Sequence, residues 1–223
     1  MKKHTILFLA ANPSETDRLA LGEEARSIQA ELERSGDRDC FEFETRWAAE
    51  PLDLLRELRK LKPTVVHYSG HGGEDGLFFQ GGDGRVRVVS TEALQETFGA
   101  AGASVKLVVL SACYSDAHAE ALLAHVDCVV GVGGSFPDDA ARSFAIGFYG
   151  GLGERESVAA AYKQGCAAIS LEATGGARPQ LELREINPLP PDPATKRLDE
   201  HRPRIRVRDR VDAERLVLAA DPR

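Results

Sequence analysis

"VKLVVLSA", residues 105–112, is the most apolar stretch of the chain, and its reading decides the fold. With one charge in eight residues, it is too short for an ordinary helix. It also lacks the alternation of a strand with one wet face. A strand covered on both sides reads this way, and such strands belong to parallel sheets whose crossovers carry helices over both faces.

The pattern recurs outward from there. "TILFLA" (5–10), "TVVHYS" (64–69) and "DCVVGV" (127–132) are further buried strands, and "CFEFETRW" (40–47) alternates as a half-buried one. Helical spacing fills the intervals. Leu21, Ala25, Ile28 and Leu32 make an amphipathic helix over residues 19–35, closed by Gly36. In "PLDLLRELRKL" (51–61) proline opens the first turn and leucines follow at 52, 55 and 58. Further helices are expected over 91–98, 116–126, 138–151 and 156–171. "LFFQ", the "GGDG" turn at 81–84 and "RVRVV" form a hairpin, and "PQLELRE" (179–185) is a last core strand. The fold class is therefore α/β: a doubly wound, mostly parallel sheet flanked by helices, with a short hairpin interposed.

Composition narrows the setting. A chain of 223 residues fits one domain with a trailing piece. The domain is expected over 1–187, with "NPLPPDP" opening a proline-rich linker and an arginine-rich tail over 188–223. In "RPRIRVRDR", Arg204, Arg206 and Arg208 share one face of a strand, with Ile205 and Val207 on the other. That pattern reads as a charged edge strand or loosely held tail in preference to an arm that docks an acidic partner. The formal net charge of −7 argues against nucleic acid as a direct partner. "TILFLAA" after Lys2 and Lys3 is too short for a signal peptide, and no stretch is expected to span a bilayer. Cys40, Cys113, Cys128 and Cys166 form no CxxC pair; reduced thiols and a cytoplasmic location are expected.

In an open α/β sheet, ligands bind beyond the carboxyl ends of the strands. Two loops there carry reactive groups. His71 follows the strand 64–69 and precedes Gly72 and Gly73; Cys113 follows the strand 105–111. Ser115 suits the N-cap of the next helix, placing Cys113 where exposed amides favour a thiolate. Cysteine and histidine on neighbouring strand ends make a nucleophile–base dyad, and the Gly72 and Cys113 amides suit an oxyanion hole. His67 lies inside the strand and reads as packing. The HEXXH glutamate is absent, so neither a metal nor another cofactor is expected.

"HYSGHG" and "LSACYS", each closing an apolar strand about forty residues apart, resemble the caspase-like cysteine peptidases, and within them the CHAT branch. "ILFLAANPSETDRLALGEEARSI", "DDAARSFAIGFYGGLGERESVAAAYKQG" and "RPQLELRE" are similar to that branch's opening, downstream and closing segments, so the resemblance covers about residues 4–186. It implies a cysteine endopeptidase in which Cys113 attacks a peptide carbonyl and His71 protonates the leaving amine, with no required third carboxylate. It also implies a protein substrate, a separate activating or sensor protein, and a bacterial defence or cell-death system; homo-oligomerisation is left open. Relatives that cut after basic residues often carry an acid two before the nucleophile, where this chain has Ser111. Glu74, Asp75, Asp138 and Asp139 are the acidic candidates for a substrate pocket, although Asp138 and Asp139 also suit a helix's first turn. A basic or uncharged residue before the cleaved bond is expected over an acidic one. The alternatives are a silent caspase-like interaction module and a Cys–His hydrolase of small esters or amides. The geometry around Gly72 and Cys113 separates them.

Overall fold

The computed structural model describes residues 3–172 and 202–218. In chain order the elements are β1 (His4–Ala11), α1 (Leu21–Arg34), β2 (Phe41–Trp47), α2 (Pro51–Leu61) and β3 (Val65–Gly70). A small sheet follows, made of β4 (Gly72–Gly73), β5 (Gly76–Gln80) and β6 (Val86–Val89). Then come α3 (Thr91–Ala101), β7 (Leu107–Ser111), α4 (Asp116–Leu122), β8 (Cys128–Val132), α5 (Asp138–Gly153), α6 (Val158–Glu172) and β9 (Pro203–Val207). The expected strand 179–185 lies outside the described residues.

The main sheet has the order β2-β1-β3-β7-β8-β9. All pairs are parallel except β8 with β9. The chain leaves β1 toward one edge, then returns past it to lay down β3, β7 and β8 in the other direction. The switch point is therefore between β1 and β3.

Alternation along the strands builds two cores. Ile6, Phe8, Val65, Leu107, Val109 and Val130 face α1, α5 and α6. Leu7, Leu9, Val66, Tyr68, Val108 and Val129 face α2, α3, α4 and the small sheet. Both faces of each central strand are thus dry, which explains why "VKLVVLSA" carries no alternation. Each such side chain contributes about 1.5–3 kcal/mol by leaving water.

Local chemistry sets the boundaries. Pro51 opens α2 beside a reciprocal Glu50–Asp53 capping box, and Lys62 ends it in a left-handed conformation (φ 47°) ahead of Pro63. Gly84, at φ 79°, turns the hairpin.

The arginine-rich segment joins the main sheet as the charged edge strand that its alternation predicts. β9 pairs antiparallel with β8 from Cys128↔Val207 to Val132↔Pro203, and Ile205, Val207 and Leu218 pack on the α1/α5/α6 side. Arg206 Nε and Nη2 reach the Asp116 carboxylate at 2.7 and 2.9 Å, Arg204 reaches it at 3.3 Å, and Arg208 pairs with Asp127. Apolar alternation and fixed counter-charges hold the segment to the sheet.

Candidate active site

The loops leaving β1, β3, β7 and β8 converge at the switch point on a cavity of about 90 Å³. His71 and Cys113 both line it. The strand register brings them together: Ser69 and Ser111 are partners across β3 and β7, and each reactive residue lies two positions beyond.

His71 is held from the side. Its Nε2–H donates to the Asp17 carbonyl at 2.7 Å, since a carbonyl only accepts. That fixes Nε2 as a protonated nitrogen and leaves Nδ1 to exchange a proton. Cys113 is half-buried, and its Sγ accepts from the Phe136 amide at 3.3 Å. Tyr114 takes a left-handed conformation (φ 57°), a sharp bend just past the sulfur, and donates its N–H to Gly134 O at 3.0 Å.

Gly72 approaches the cysteine closely. A Cβ there would lie 2.8 Å from the Cys113 carbonyl oxygen and 3.2 Å from the Ala112 methyl group. The Phe78 N–H donates to His71 O, and Gly72 stands opposite Leu77 in the antiparallel register. By the alternation of antiparallel ladders, the residue after a bonded position turns its N–H outward, which directs that of Gly72 away from β5. Buried His118 steadies the same loop, donating from Nε2 to Gly73 O at 2.9 Å and accepting at Nδ1 from the Thr91 hydroxyl at 2.6 Å.

His67 lies on the face of β3 opposite Tyr68, stacked on Phe8 with ring centroids 4.9 Å apart. Its Nδ1 meets the Tyr149 hydroxyl at 2.9 Å and its Nε2 meets Glu24 Oε1 at 3.2 Å. The other Glu24 oxygen accepts from the Ser69 hydroxyl. Burial works to raise the Glu24 carboxyl, but His67 and the hydrogen bonds from His67, Ser69 and Ser111 outweigh it and hold it below the usual range.

Of the acidic residues and serine expected near the pocket, Ser111 and Asp138 line the cavity. Glu74, Asp75 and Asp139 do not. Glu74 and Asp75 are exposed in the β4–β5 turn, which folds back along the small sheet, and Asp139 Oδ1 accepts from its neighbour's amide in the first turn of α5. The Ser115 hydroxyl does not cap α4. It donates to Leu110 O at 2.9 Å and accepts from Val132 N at 3.0 Å, tying the ends of β7 and β8 together. Sequence reasoning missed the Asp17 carbonyl, which has no side-chain signal. It also missed Glu24, whose signal was there: it stands three after Leu21 and four before Ile28, on the apolar stripe of α1.

A caspase-like α/β fold, with histidine and cysteine at its switch point, is the class these features define. The CHAT domain family is the particular match: its model covers residues 2–172, and the chain belongs to that family. It is 30% identical over 172 residues to a "Roc-COR-CHAT protease" from an unknown prokaryotic organism, covering 74% of this chain and 16% of that protein. It is 27% identical over 147 residues to a "Probable protease" of Gillisia limnaea, covering 65% and 26%. The chain thus spans about a sixth and a quarter of these relatives. Among solved structures it resembles a secreted C11 cysteine protease from Bacteroides thetaiotaomicron in complex with an irreversible peptide inhibitor. The TM-score is 0.60 at 14% identity, over 77% of this chain and 60% of that one. Pro-sf-caspase-1 gives a TM-score of 0.52 at 10% identity, over 92% and 91%. These two likenesses establish the fold.

Proposed function

We propose that the chain is a cysteine endopeptidase in which His71 and Cys113 cleave a protein substrate. The observation that carries this reading is the shared cavity: His71, its Nε2 committed to Asp17 O, faces the same space as the Cys113 sulfur.

Cys113 Sγ attacks the peptide carbonyl carbon and its proton passes to His71 Nδ1. The carbonyl oxygen becomes an oxyanion held by the amides of Gly72 and Cys113. As the carbon–nitrogen bond breaks, Nδ1 gives its proton to the leaving amine, and an acyl-enzyme remains. Nδ1 then takes a proton from water as the water oxygen attacks the thioester carbon; the carbon–sulfur bond breaks, the sulfur takes that proton from Nδ1, and the new carboxylic acid leaves and ionises into solvent. The protein returns to its starting state.

A cytoplasmic setting, a separate sensor or activator and a role in bacterial defence complete the proposal. All four cysteines are free thiols, in keeping with a reducing compartment. Among the described residues no helix is long and apolar enough to cross a membrane. The relative named Roc-COR-CHAT protease is prokaryotic and far longer than this chain, in keeping with CHAT modules working beside other parts. Incubation with proteins encoded beside its gene, followed by sequencing of new N-termini, tests the reading. The expected result is one discrete cut in one protein.

A further inference from the structure

The cavity beside Cys113 has an anionic inner end. Its outer rim is made by exposed Ala20 and Asp138, and its sides by Leu19, Leu21, Phe136 and Ala141. At the inner end are buried Ser69, Ser111 and Glu24, and Glu24 is only 5% exposed. A carboxylate so deep is costly unless something uses it; an apolar residue would satisfy the α1 stripe at less cost. Its donors are one imidazole and the hydroxyls of Ser69 and Ser111, and among the described residues no lysine or arginine forms an ion pair with it. Among those residues its one charge partner is the His67 imidazole behind it, and the carboxylate also lines the cavity.

We infer that Glu24 is a specificity-determining residue: its carboxylate selects substrates with a lysine or arginine immediately before the cleaved bond. The inference rests on the peptidase reading. The apolar walls accept the methylene stem of such a side chain, as lysine and arginine stems pack elsewhere. The cationic head meets Glu24 and the Ser111 hydroxyl at the inner end, with Asp138 adding negative charge at the rim. The position two before the nucleophile is Ser111, so the charge comes instead from helix α1, across the cavity. Ser111 leaves that carboxylate room, and a second acid at this position would repel it.

The test compares peptides that differ only at this residue: lysine, arginine, norleucine, acetyl-lysine and aspartate. Turnover by the wild-type chain is expected to favour lysine or arginine over norleucine and acetyl-lysine by about 100-fold, the scale of one charge-assisted contact in a dry pocket. In Glu24→Gln that ratio falls at least about 10-fold, and Glu24→Asp recovers part of it. Calorimetric binding of the lysine and norleucine peptides to Cys113→Ala and to Cys113→Ala/Glu24→Gln reads the same preference without chemistry. A lysine preference in binding with no turnover by the wild-type chain retains the Glu24 assignment and overturns the peptidase reading. A wild-type preference for norleucine, acetyl-lysine or aspartate overturns the assignment, even if Glu24→Gln fails to fold. An unchanged lysine-to-norleucine ratio in folded Glu24→Gln overturns it equally.

Discussion

Ser69 of β3 stands opposite Ser111 of β7 in the parallel register, and this pairing sets the distance between the loops that carry His71 and Cys113. Neither serine is a reacting group. Their strands end together at the point where the sheet reverses direction, so the two residues beyond them meet over one cavity. The site is thus a product of strand register, and changes that leave the register intact should act on chemistry alone.

Gly72→Ala tests the close approach of the histidine loop to the cysteine. The added methyl group would lie 2.8 Å from Cys113 O, so the loop must move outward and carry the Gly72 amide with it. Turnover should fall by about 10²–10³-fold, the scale of losing one oxyanion donor. Steady-state kinetics should place the loss in kcat, with circular dichroism unchanged.

His67→Ala should act on stability. It leaves the Glu24 carboxylate and the Tyr149 hydroxyl buried without their shared partner. The expected cost is about 3–5 kcal/mol, as for breaking one side of a buried charged pair. Urea unfolding checks it. Unchanged stability with lost turnover would move His67 into the catalytic machinery.

Asp116 predicts an acid dependence. Hydrogen bonds from Arg206, opposed by burial and joined by the charges of Arg206 and Arg204, hold its carboxyl below the ordinary 3.8. A lowered value in the folded state means that the unfolded chain takes up the proton first as pH falls. The stabilisation is therefore full above about pH 3.8 and is lost as pH drops through the folded-state value. Arg206 is partly exposed, so solvent discounts the gain to about 1 kcal/mol. Asp116→Asn should lose that amount at neutral pH and show a shallower stability loss between pH 4 and 2.

Much of this molecule was legible in its sequence because the decisive signals are local. Unbroken apolar runs mark strands buried on both faces, and "HYSGHGG" and "LSACYS" mark the loops that follow two of them. What escaped depends on contacts distant in sequence. The alternation in "RPRIRVRDR" marks an edge strand, but nothing local says that it lies beside β8, because its counter-charges, Asp116 and Asp127, lie some eighty to ninety residues earlier. The Asp17 carbonyl holds His71 through backbone alone. Ser115 had the right residue type for a cap, yet two strand ends offered its hydroxyl buried partners instead. Glu24 was visible as a charge on an apolar stripe, but its meaning needed the cavity.

The central claim is that Cys113 and His71 form one catalytic unit, and the most direct measurement is cleavage of the substrate protein by wild type, Cys113→Ala and His71→Ala at matched concentration. The account predicts a loss of at least about 10³-fold in each variant, with unfolding midpoints close to wild type. Cleavage at the wild-type rate by folded Cys113→Ala would contradict it.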